Sequence, residues 1–369
     1  MELTPDMLDL LALHLIPGLG PKLTAALLER FGSAADVLRA DANQLSAVPH
    51  IGSNLAGKLR QAMNQVEVQA ELARMQEKDV SLLRLGVPPY PAILATIPDP
   101  PGLLYVRGNL EPRDERAVAI VGSRHCTPYG RRIAERLAGE LVRAGYTIVS
   151  GLARGIDALA HRGALQAGGR TLAVLAGGLS KIYPPEHADL AEEVRAAGAL
   201  LTESAMLMEP MAGMFPARNR IISGLAKAVV VVEAADKSGA LITASHAAEQ
   251  GRDVFAIPGP IDSPASAGTH ELLRKGAKLA RHAGDILEEL QGITPLIATG
   301  QTETHSPEPP PGLDDRQRQI WDFLGTQRQN VDDIARTMSL SVPELTRMLM
   351  VLEMKKVIKR LPGNQYERW

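Results

Sequence analysis

Several turns of this sequence combine glycines with cationic and aromatic side chains, and these residue types are suited to binding a polyanion. Two aromatic rings, Tyr183 and Phe215, stand in such turns, where stacking on an exposed base is worth about 1–3 kcal/mol. The residues that we place in this candidate site are Gly122, Ser123, Arg124, Gly151, Arg154, Gly155, Lys181, Tyr183, Phe215, Arg218, Asn219, Arg220, Lys237 and Ser238.

The cations of this set favour phosphate as the ligand. The guanidinium groups of Arg124, Arg218 and Arg220 can donate paired hydrogen bonds to phosphate oxygens, and Lys181 adds a point charge. The glycines expose backbone N–H groups at predicted helix starts, where an anion binds without help from a side chain. We therefore predict an anion-binding pocket, with a polynucleotide favoured over a single nucleotide.

A nucleotide cofactor is not supported by the same turns. Dinucleotide binding needs G-x-G-x-x-G after the first strand and an acid at the end of the second. Residues 122–127 instead read Gly-Ser-Arg-His-Cys-Thr, the second strand ends in Ser150-Gly151, and the P-loop pattern is absent. We predict no cofactor and no catalytic residue.

The remaining polar residues of these turns receive structural interpretations. Asp157 stands at a predicted helix start and is expected to cap it, with His161 one turn later as its partner. Glu203 and Glu233 are expected to orient arginines through hydrogen bonds. Cys126 lies near a cation and a helix start, which favour a lowered pKa, but without a catalytic partner it is interpreted as a bystander. No histidine pair has the spacing of metal ligands, so no metal is predicted.

Parallel strands are needed to bring these turns together. Six short runs, several of them apolar throughout, alternate with helical stretches, which is typical of strands covered on both faces. Functional groups collect at the carboxyl ends of such strands. We therefore predict an α/β fold with an extended Rossmann-like, doubly wound parallel sheet, to which residues 80–108 add a short strand pair. The six runs are residues 118–121, 147–149, 171–175, 199–201, 228–232 and 254–257.

Two smaller domains are predicted to flank the sheet. Beyond a proline-rich linker, the pattern of short helices followed by a strand pair is that of a winged helix. The predicted boundaries are a helical domain of helix-hairpin-helix (SAM-like) type over residues 1–78, the Rossmann-like domain over 79–291, the linker over 292–312 and the winged helix over 313–369.

The functions of the flanking domains stay open at this point. Glycine-containing breaks at residues 16–21 and 48–52 predict two hairpins, whose glycine amides would hold a DNA phosphate. His50 occupies the expected glycine position of the second hairpin, and packing or protein contact is the alternative. The predicted recognition helix offers only Arg347 and residues 355–356 as cations, so protein contact is an alternative to duplex binding there too.

Composition sets the outer limits on function. The net charge of −2 means that a nucleic-acid site must come from a local cluster of cations. The single cysteine excludes a disulfide framework and favours a reducing compartment. Neither a signal peptide nor an apolar run of membrane-spanning length is present. We expect a cytoplasmic protein with no membrane contact.

The motifs taken together resemble one known family. These are VGSR over residues 121–124, SGLARGID over 150–157, YP over 183–184, FPARNR over 215–220 and RDVFAIPG over 252–259. In combination they resemble the DNA-processing protein A family, also called Smf. The resemblance implies a bacterial recombination mediator that binds incoming single-stranded DNA during natural transformation and loads RecA recombinase onto it.

The resemblance also implies partners and site residues. The implied partners are RecA, single-strand-binding protein and a second copy of the chain in a homodimer, while duplex DNA stays an open alternative for the flanking domains. Two positions depart from the family pattern, since Ser180 replaces a common acid and Ala240 a common hydroxyl residue. The pocket residues carried over are Gly122, Ser123, Arg124, Gly151, Gly155, Lys181, Phe215, Arg218 and Arg220.

Two other classes of protein compete with this interpretation. The first is a nucleotide-cleaving enzyme that resembles the cytokinin-activating phosphoribohydrolases, which carry P-G-G-x-G-T. This chain has Pro-Gly-Pro-Ile over residues 258–261, with Gly268-Thr269 displaced, which counts against hydrolysis. The second is an adaptor that recruits proteins to DNA.

Overall fold

The computed structural model describes residues 4–291, 313–324, 329–338, 340–355, 357–361 and 365–368. The chain divides into two compact units, Met1–Thr294 and Pro295–Trp369. The predicted linker over residues 292–312 lies outside the described residues.

Six short helices form the amino-terminal part of the first unit. They are α1 (Pro5–His14), α2 (Pro21–Phe31), α3 (Ala34–Arg39), α4 (Ala42–Ser46), α5 (Ser53–Met63) and α6 (Val68–Glu77).

Both predicted hairpins form, and they share one backbone geometry. Gly18 has a φ of +83° in the first hairpin, between α1 and α2, and His50 has a φ of +67° in the second, between α4 and α5. Glycine adopts this left-handed conformation freely, whereas a side chain makes it costly. The second hairpin therefore keeps its shape although it lacks the glycine, and the strain falls on His50.

Nine strands follow in one sheet with the order β1-β2-β6-β5-β4-β3-β7-β8-β9. Strands β3 to β9 run parallel, while β2 pairs antiparallel with both β1 and β6. The six predicted strands and the added strand pair are all confirmed. Their bounds are β1 (Val80–Arg84), β2 (Leu103–Gly108), β3 (Ala117–Val121), β4 (Thr147–Ser150), β5 (Thr171–Val174), β6 (Ala199–Thr202), β7 (Ala228–Val231), β8 (Asp253–Ala256) and β9 (Lys278–Leu279).

Helices cover both faces of this sheet, which explains why every residue of β3 to β7 is buried. The helices are α7 (Ala92–Ala95), α8 (Pro128–Arg143), α9 (Ile156–Gln166), α10 (Ala188–Ala197), α11 (Met214–Gly224), α12 (Gly239–Glu249), α13 (Ala267–Arg274) and α14 (Ala283–Gln291).

The amino-terminal helices pack on the sheet through a continuous apolar core. Leu11 and Leu27 of the helices share one buried cluster with Tyr105 of β2 and Leu200 of β6. Burial of a leucine side chain contributes about 1.5–3 kcal/mol. The helices and the sheet therefore form one folded body rather than two tethered modules.

The second unit has the outline of a winged helix. Strand β12 (Gln365–Arg368) pairs antiparallel with both β10 (Gln329–Asn330) and β11 (Ile358–Leu361). Leu345, Leu349 and Leu352 form part of the buried core of this unit, as predicted. No helix within the described ranges of either unit is long and apolar enough to cross a bilayer. The elements are α15 (Asp315–Leu324), β10 (Gln329–Asn330), α16 (Val331–Met338), α17 (Val342–Met354), β11 (Ile358–Leu361) and β12 (Gln365–Arg368).

Candidate nucleic-acid interface

A pocket lies at the carboxyl ends of the parallel strands, between the turns that follow β3, β4 and β5 and the start of α11. Seven of the fourteen predicted site residues line it, because the strand ends bring these turns to one edge. The lining consists of Arg124, Gly151, Ala153, Arg154, Leu175, Ala176, Gly177, Gly178, Lys181, Tyr183, Pro184, Pro210, Phe215 and Arg218.

A cation and two aromatic rings form one side of the pocket. The Cζ atom of Arg124 lies 5.1 Å from the centroid of the Phe215 ring, within the range of a cation–π contact. The ring centroids of Phe215 and Tyr183 are 5.8 Å apart and their planes are inclined by 58°. Arg124 is exposed and Tyr183 is 43% exposed, so a ligand in the pocket can reach both side chains.

Arg218 forms the floor of the pocket and is buried. Its Nη1 donates to the carbonyl oxygen of Gly151 at 2.7 Å and to that of Val174. Burial lowers the pKa of Arg218 to about 10, while the carboxylate of Asp157 opposes the shift. Arg218 is therefore charged at neutral pH and supplies fixed positive charge, although its Nη1 is committed to backbone carbonyls.

Two further cations at the mouth of the pocket contact acidic side chains. Arg154 pairs with Glu186, and Lys181 Nζ lies 3.2 Å from Glu209 Oε1. All four side chains are largely exposed, and exposed pairs of this kind contribute about 0–1 kcal/mol. Both cations therefore remain available to a stronger anion.

The pocket glycines provide space rather than free amides. Gly151 N donates to Asp157 Oδ2 at 3.1 Å, and Gly178 N donates to Met208 O at 2.8 Å. A Cβ atom on Gly151 would lie 2.6 Å from Arg218 Nη1. The expectation that glycine amides hold phosphate does not fit these two residues, because their N–H groups already have acceptors.

Three of the predicted residues support the pocket from behind. Gly155 has a φ of +74°, and a Cβ atom there would lie 2.2 Å from the Ser123 carbonyl oxygen. Ser123 N donates to the Glu233 carbonyl oxygen at 2.7 Å. A Cβ atom on Gly122 would lie 2.7 Å from the Ile156 side chain. These residues allow the turns after β3 and β4 to pack closely.

Arg220 is turned away from the pocket. Its Nη2 lies 2.6 Å from Glu203 Oε2 and its Nε 3.1 Å from Asp99 Oδ2, and the side chain is 6% exposed. Residues 218 and 220 are two apart on α11, so their side chains point about 200° apart. The expectation that Arg220 donates to phosphate oxygens in the pocket is therefore not matched, whereas Glu203 orients an arginine as expected.

The last three predicted residues, Asn219, Lys237 and Ser238, lie at or near the start of α12. Ser238 caps α12 by accepting from Ala240 N at 3.3 Å. Asn219 Nδ2 donates to the Gly239 carbonyl oxygen at 3.2 Å, and Lys237 is exposed. These side chains are not among the residues that line the pocket.

The interpretations of Asp157 and His161 are wrong. Gly155 occupies the N-cap position of α9, where no side chain caps the helix. The buried Asp157 carboxylate instead accepts from Gly151 N. Burial raises the pKa of Asp157. His161 Nδ1 lies 2.7 Å from Thr171 Oγ1, and burial lowers the pKa of His161 to about 3.

Glu233 also differs from expectation. The Glu233 carboxylate accepts from the backbone N–H of Thr127 at 2.9 Å and from the Thr127 hydroxyl, rather than from an arginine. Burial raises the pKa of the Cys126 thiol and outweighs the opposing charge of Arg131, so its surroundings do not activate the thiol. Within the described ranges, no group of three or more acidic, histidine or cysteine side chains is placed to hold a metal ion.

Sequence reasoning missed the loop over residues 203–213, which brings Pro210 into the pocket. A Cβ atom on Gly177 would lie 2.8 Å from Met208 O, and one on Gly178 would lie 2.1 Å from Ala205 O. The paired glycines after the third predicted strand were the available signal for this close approach.

Comparison with known families identifies the family of this chain. The model described as DNA recombination-mediator protein A matches residues 81–291. The chain belongs to this family. Flanking matches are the SAM-like helix-hairpin-helix tandem over residues 8–81 and the DprA winged helix domain over residues 304–364. The predicted fold class and family resemblance are confirmed.

Relatives in the DNA recombination-mediator protein A family extend over most of the chain. Protein Smf of Synechocystis is 34% identical over 97% of this chain and 98% of its own length. Protein Smf of Escherichia coli is 40% identical over 80% of this chain and 79% of its own length.

Two solved structures are also similar. DNA processing protein A of Streptococcus pneumoniae is 36% identical with a TM-score of 0.68, covering 78% of this chain and 99% of that one. DNA processing protein A of Helicobacter pylori, studied for its single-stranded DNA binding mode, is 32% identical with a TM-score of 0.52. It covers 57% of this chain and 95% of that one.

Membership of the DNA recombination-mediator protein A family sets the functional class. Proteins of this family mediate DNA recombination by binding DNA and are not enzymes. The phosphoribohydrolase alternative is therefore set aside.

Proposed function

We propose that the pocket binds single-stranded DNA, with phosphates on Arg124, Arg154 and Lys181 and an unstacked base against Tyr183 and Phe215. The observation that carries the proposal is the state of Arg124. It is exposed and lies over an aromatic ring, and it makes no salt bridge to any described acidic side chain. A phosphate can therefore bind Arg124 without displacing a carboxylate.

The aromatic pair favours a single strand over a duplex. The Tyr183 and Phe215 rings are inclined to each other, and a base can stack on either ring only after it has left its own stack. Bases of a single strand are free to do this, whereas those of a duplex first have to be unpaired. The DNA processing protein A of Helicobacter pylori, which shares this fold, supports the choice of single-stranded DNA.

The proposal extends to the fate of the bound strand. We propose that a homodimer of this chain takes up single-stranded DNA in the cytoplasm during natural transformation. It then loads RecA recombinase onto that strand in the presence of single-strand-binding protein. Membership of a family of recombination mediators supports this step, because a mediator has to deliver its DNA to a recombinase.

Binding is tested by fluorescence anisotropy of labelled single- and double-stranded oligonucleotides over a range of salt concentrations. We expect tighter binding of the single strand, and for Arg124→Ala roughly a tenfold loss of affinity, since a hydrogen bond to a charged group contributes about 1.5–3 kcal/mol. Arg132→Ala is the matched control, because Arg132 also lies over a ring, that of Tyr129, outside the pocket. Equal affinity of Arg124→Ala and wild type would overturn the pocket assignment.

Delivery is tested by following DNA-dependent ATP hydrolysis by RecA on strands coated with single-strand-binding protein. Wild type is expected to shorten the lag before hydrolysis begins, and Arg124→Ala to leave the lag long. A wild-type protein that binds the strand but does not change the lag would contradict the loading step and leave the binding step standing.

A further inference from the structure

The loop over residues 203–213 is hydrogen-bonded to the turn after β5, and this turn lines the pocket. The carbonyl oxygen of Met208 accepts from Gly178 N at 2.8 Å, and that of Met206 accepts from Ser180 N at 3.0 Å. Pro210 of the same loop lines the pocket directly. The position of this loop therefore sets the position of the Gly178–Lys181 turn.

The loop is held in turn by a buried carboxylate from the amino-terminal helices. Glu71 lies on α6 and is 3% exposed. Its Oε1 accepts from the backbone N–H of Met206 at 2.7 Å, and its other oxygen lies 3.5 Å from Arg74 Nη1. One residue, Met206, thus accepts from the pocket turn with its carbonyl oxygen and donates to Glu71 with its N–H group.

A second residue of the amino-terminal helices, His14, also contacts the loop over residues 203–213. The His14 ring at the end of α1 lies against the backbone of Glu203, and the ring centroids of His14 and Tyr105 are 5.8 Å apart. Burial, reinforced by the charge of Glu71, raises the pKa of Tyr105, so the phenol stays protonated. Both ends of the Glu203–Met206 segment are therefore in contact with the helical domain.

Stability alone does not explain an acid at this position. Burial of a carboxylate carries a desolvation cost, and apolar residues of similar size often serve stability as well or better. The carboxylate instead fixes the position of the Met206 N–H group, because a charge-assisted hydrogen bond holds its donor at one distance and angle.

We infer that Glu71 is a positioning residue for the DNA pocket, through which the amino-terminal helices set the affinity for single-stranded DNA. The inference rests on the proposed function of the pocket. It gives the helical domain a role that requires no DNA contact of its own.

The first test compares three variants of the full chain. Glu71→Leu removes the acceptor, Glu71→Gln keeps an amide oxygen that can accept from Met206 N, and Glu77→Leu alters an exposed acid of the same helix, 71% accessible. We expect Glu71→Leu to bind an oligothymidylate roughly tenfold more weakly, because a buried donor is left without its partner. Glu71→Gln and Glu77→Leu are expected to stay within about threefold of wild type.

The second test uses wild-type protein, so it does not depend on the folding of a variant. Coupling between two sites is reciprocal, so oligothymidylate should slow amide hydrogen exchange at Met206 and along α6 as well as at Gly178 and Ser180. Protection confined to the pocket turn, with Met206 and α6 unchanged, would overturn the inference. So would full affinity of a folded Glu71→Leu variant.

Arg124→Ala separates this inference from the function on which it rests. If Arg124→Ala binds DNA like wild type, the pocket assignment fails whatever the Glu71 variants do. If Arg124→Ala loses affinity while Glu71→Leu keeps it, only the positioning role fails.

Discussion

Arg124 and Arg218 are the same residue type in one pocket, yet their surroundings fit them for different tasks. Arg218 is fixed by two backbone carbonyls in the floor, whereas Arg124 is exposed over Phe215. Substitution of Arg218 removes a buried charge and two hydrogen bonds together, so it disturbs folding as well as binding. Arg124 is therefore the arginine whose removal tests the proposed DNA contact without removing a buried charge.

A third arginine, Arg220, is expected to affect stability and not the number of phosphate contacts. Arg220→Ala leaves Glu203 and Asp99 without their shared partner, which we expect to cost roughly 3 kcal/mol of unfolding free energy. In urea denaturation the midpoint should fall. In a salt series, Arg124→Ala should reduce the slope of log K against log salt by about 0.7 for one lost phosphate, and Arg220→Ala should leave it unchanged. A reduced slope for Arg220→Ala would place Arg220 at the DNA.

Gly151 is predicted to be intolerant of even a methyl group. The Cβ atom of Gly151→Ala would lie 2.6 Å from Arg218 Nη1 and 2.7 Å from Asp157 Oδ2, so both groups would have to move. We expect the free energy of unfolding to fall by about 1–3 kcal/mol, which lowers the urea midpoint, and we expect weaker DNA binding. Gly213→Ala is the control, since open space surrounds Gly213. Equal losses in both variants would contradict this explanation.

Part of this residue-level detail was accessible from the sequence. The helical period of 3.6 separates positions 218 and 220 by about 200°, so at most one of the two arginines could face the pocket. Which one does so was not accessible, because it depends on Asp99, which lies far away in the chain and pairs with Arg220. The pairing of His161 with Thr171 was not accessible either, because it depends on how α9 packs against β5.

At the scale of elements, the strands were the most predictable part of the molecule. Runs such as residues 228–232 are apolar throughout because both faces of the sheet are covered. The loop over residues 203–213 was not predictable, because its position depends on hydrogen bonds to Gly178, Ser180 and Glu71 rather than on its own periodicity.

The second helical hairpin offers a stability prediction. His50 is exposed and holds a φ of +67°, a conformation that costs a non-glycine residue roughly 1–2 kcal/mol. His50→Gly should therefore raise the free energy of unfolding by about 0.5–1 kcal/mol, after the larger chain entropy of glycine is subtracted. Thermal denaturation measures the change. A lower melting temperature would show that His50 makes a stabilising contact.

At the scale of the whole molecule, two histidines predict how stability depends on pH. Burial lowers the pKa of His14 to about 4 and that of His161 to about 3, with the charges of His187 and Arg218 adding to the shift of His161. The unfolded chain protonates both near pH 6.5, so stability is complete above that pH and is lost as the pH falls toward 4 and 3.

The size of this effect follows from proton counting. Each histidine contributes up to about 1.4 kcal/mol per pH unit within its window. Urea midpoints measured from pH 7.5 downward should fall in wild type, and fall less steeply in His161→Gln. Parallel curves for the two proteins would show that His161 accepts its proton in the folded state.

The paired cations at the mouth of the pocket have a consequence for the kind of anion that succeeds there. Arg154 and Lys181 are each paired with a carboxylate of the same chain, so a phosphate that binds either of these two cations competes with a tethered carboxylate, whereas a phosphate on Arg124 does not. A lone nucleotide that binds Arg124 gains no contact with either paired cation unless it also displaces a carboxylate. A polymer can displace both carboxylates at the cost of a single loss of translational freedom, because its second contact is then intramolecular. If the pocket binds DNA as proposed, we therefore expect it to bind a strand more tightly than a free nucleotide.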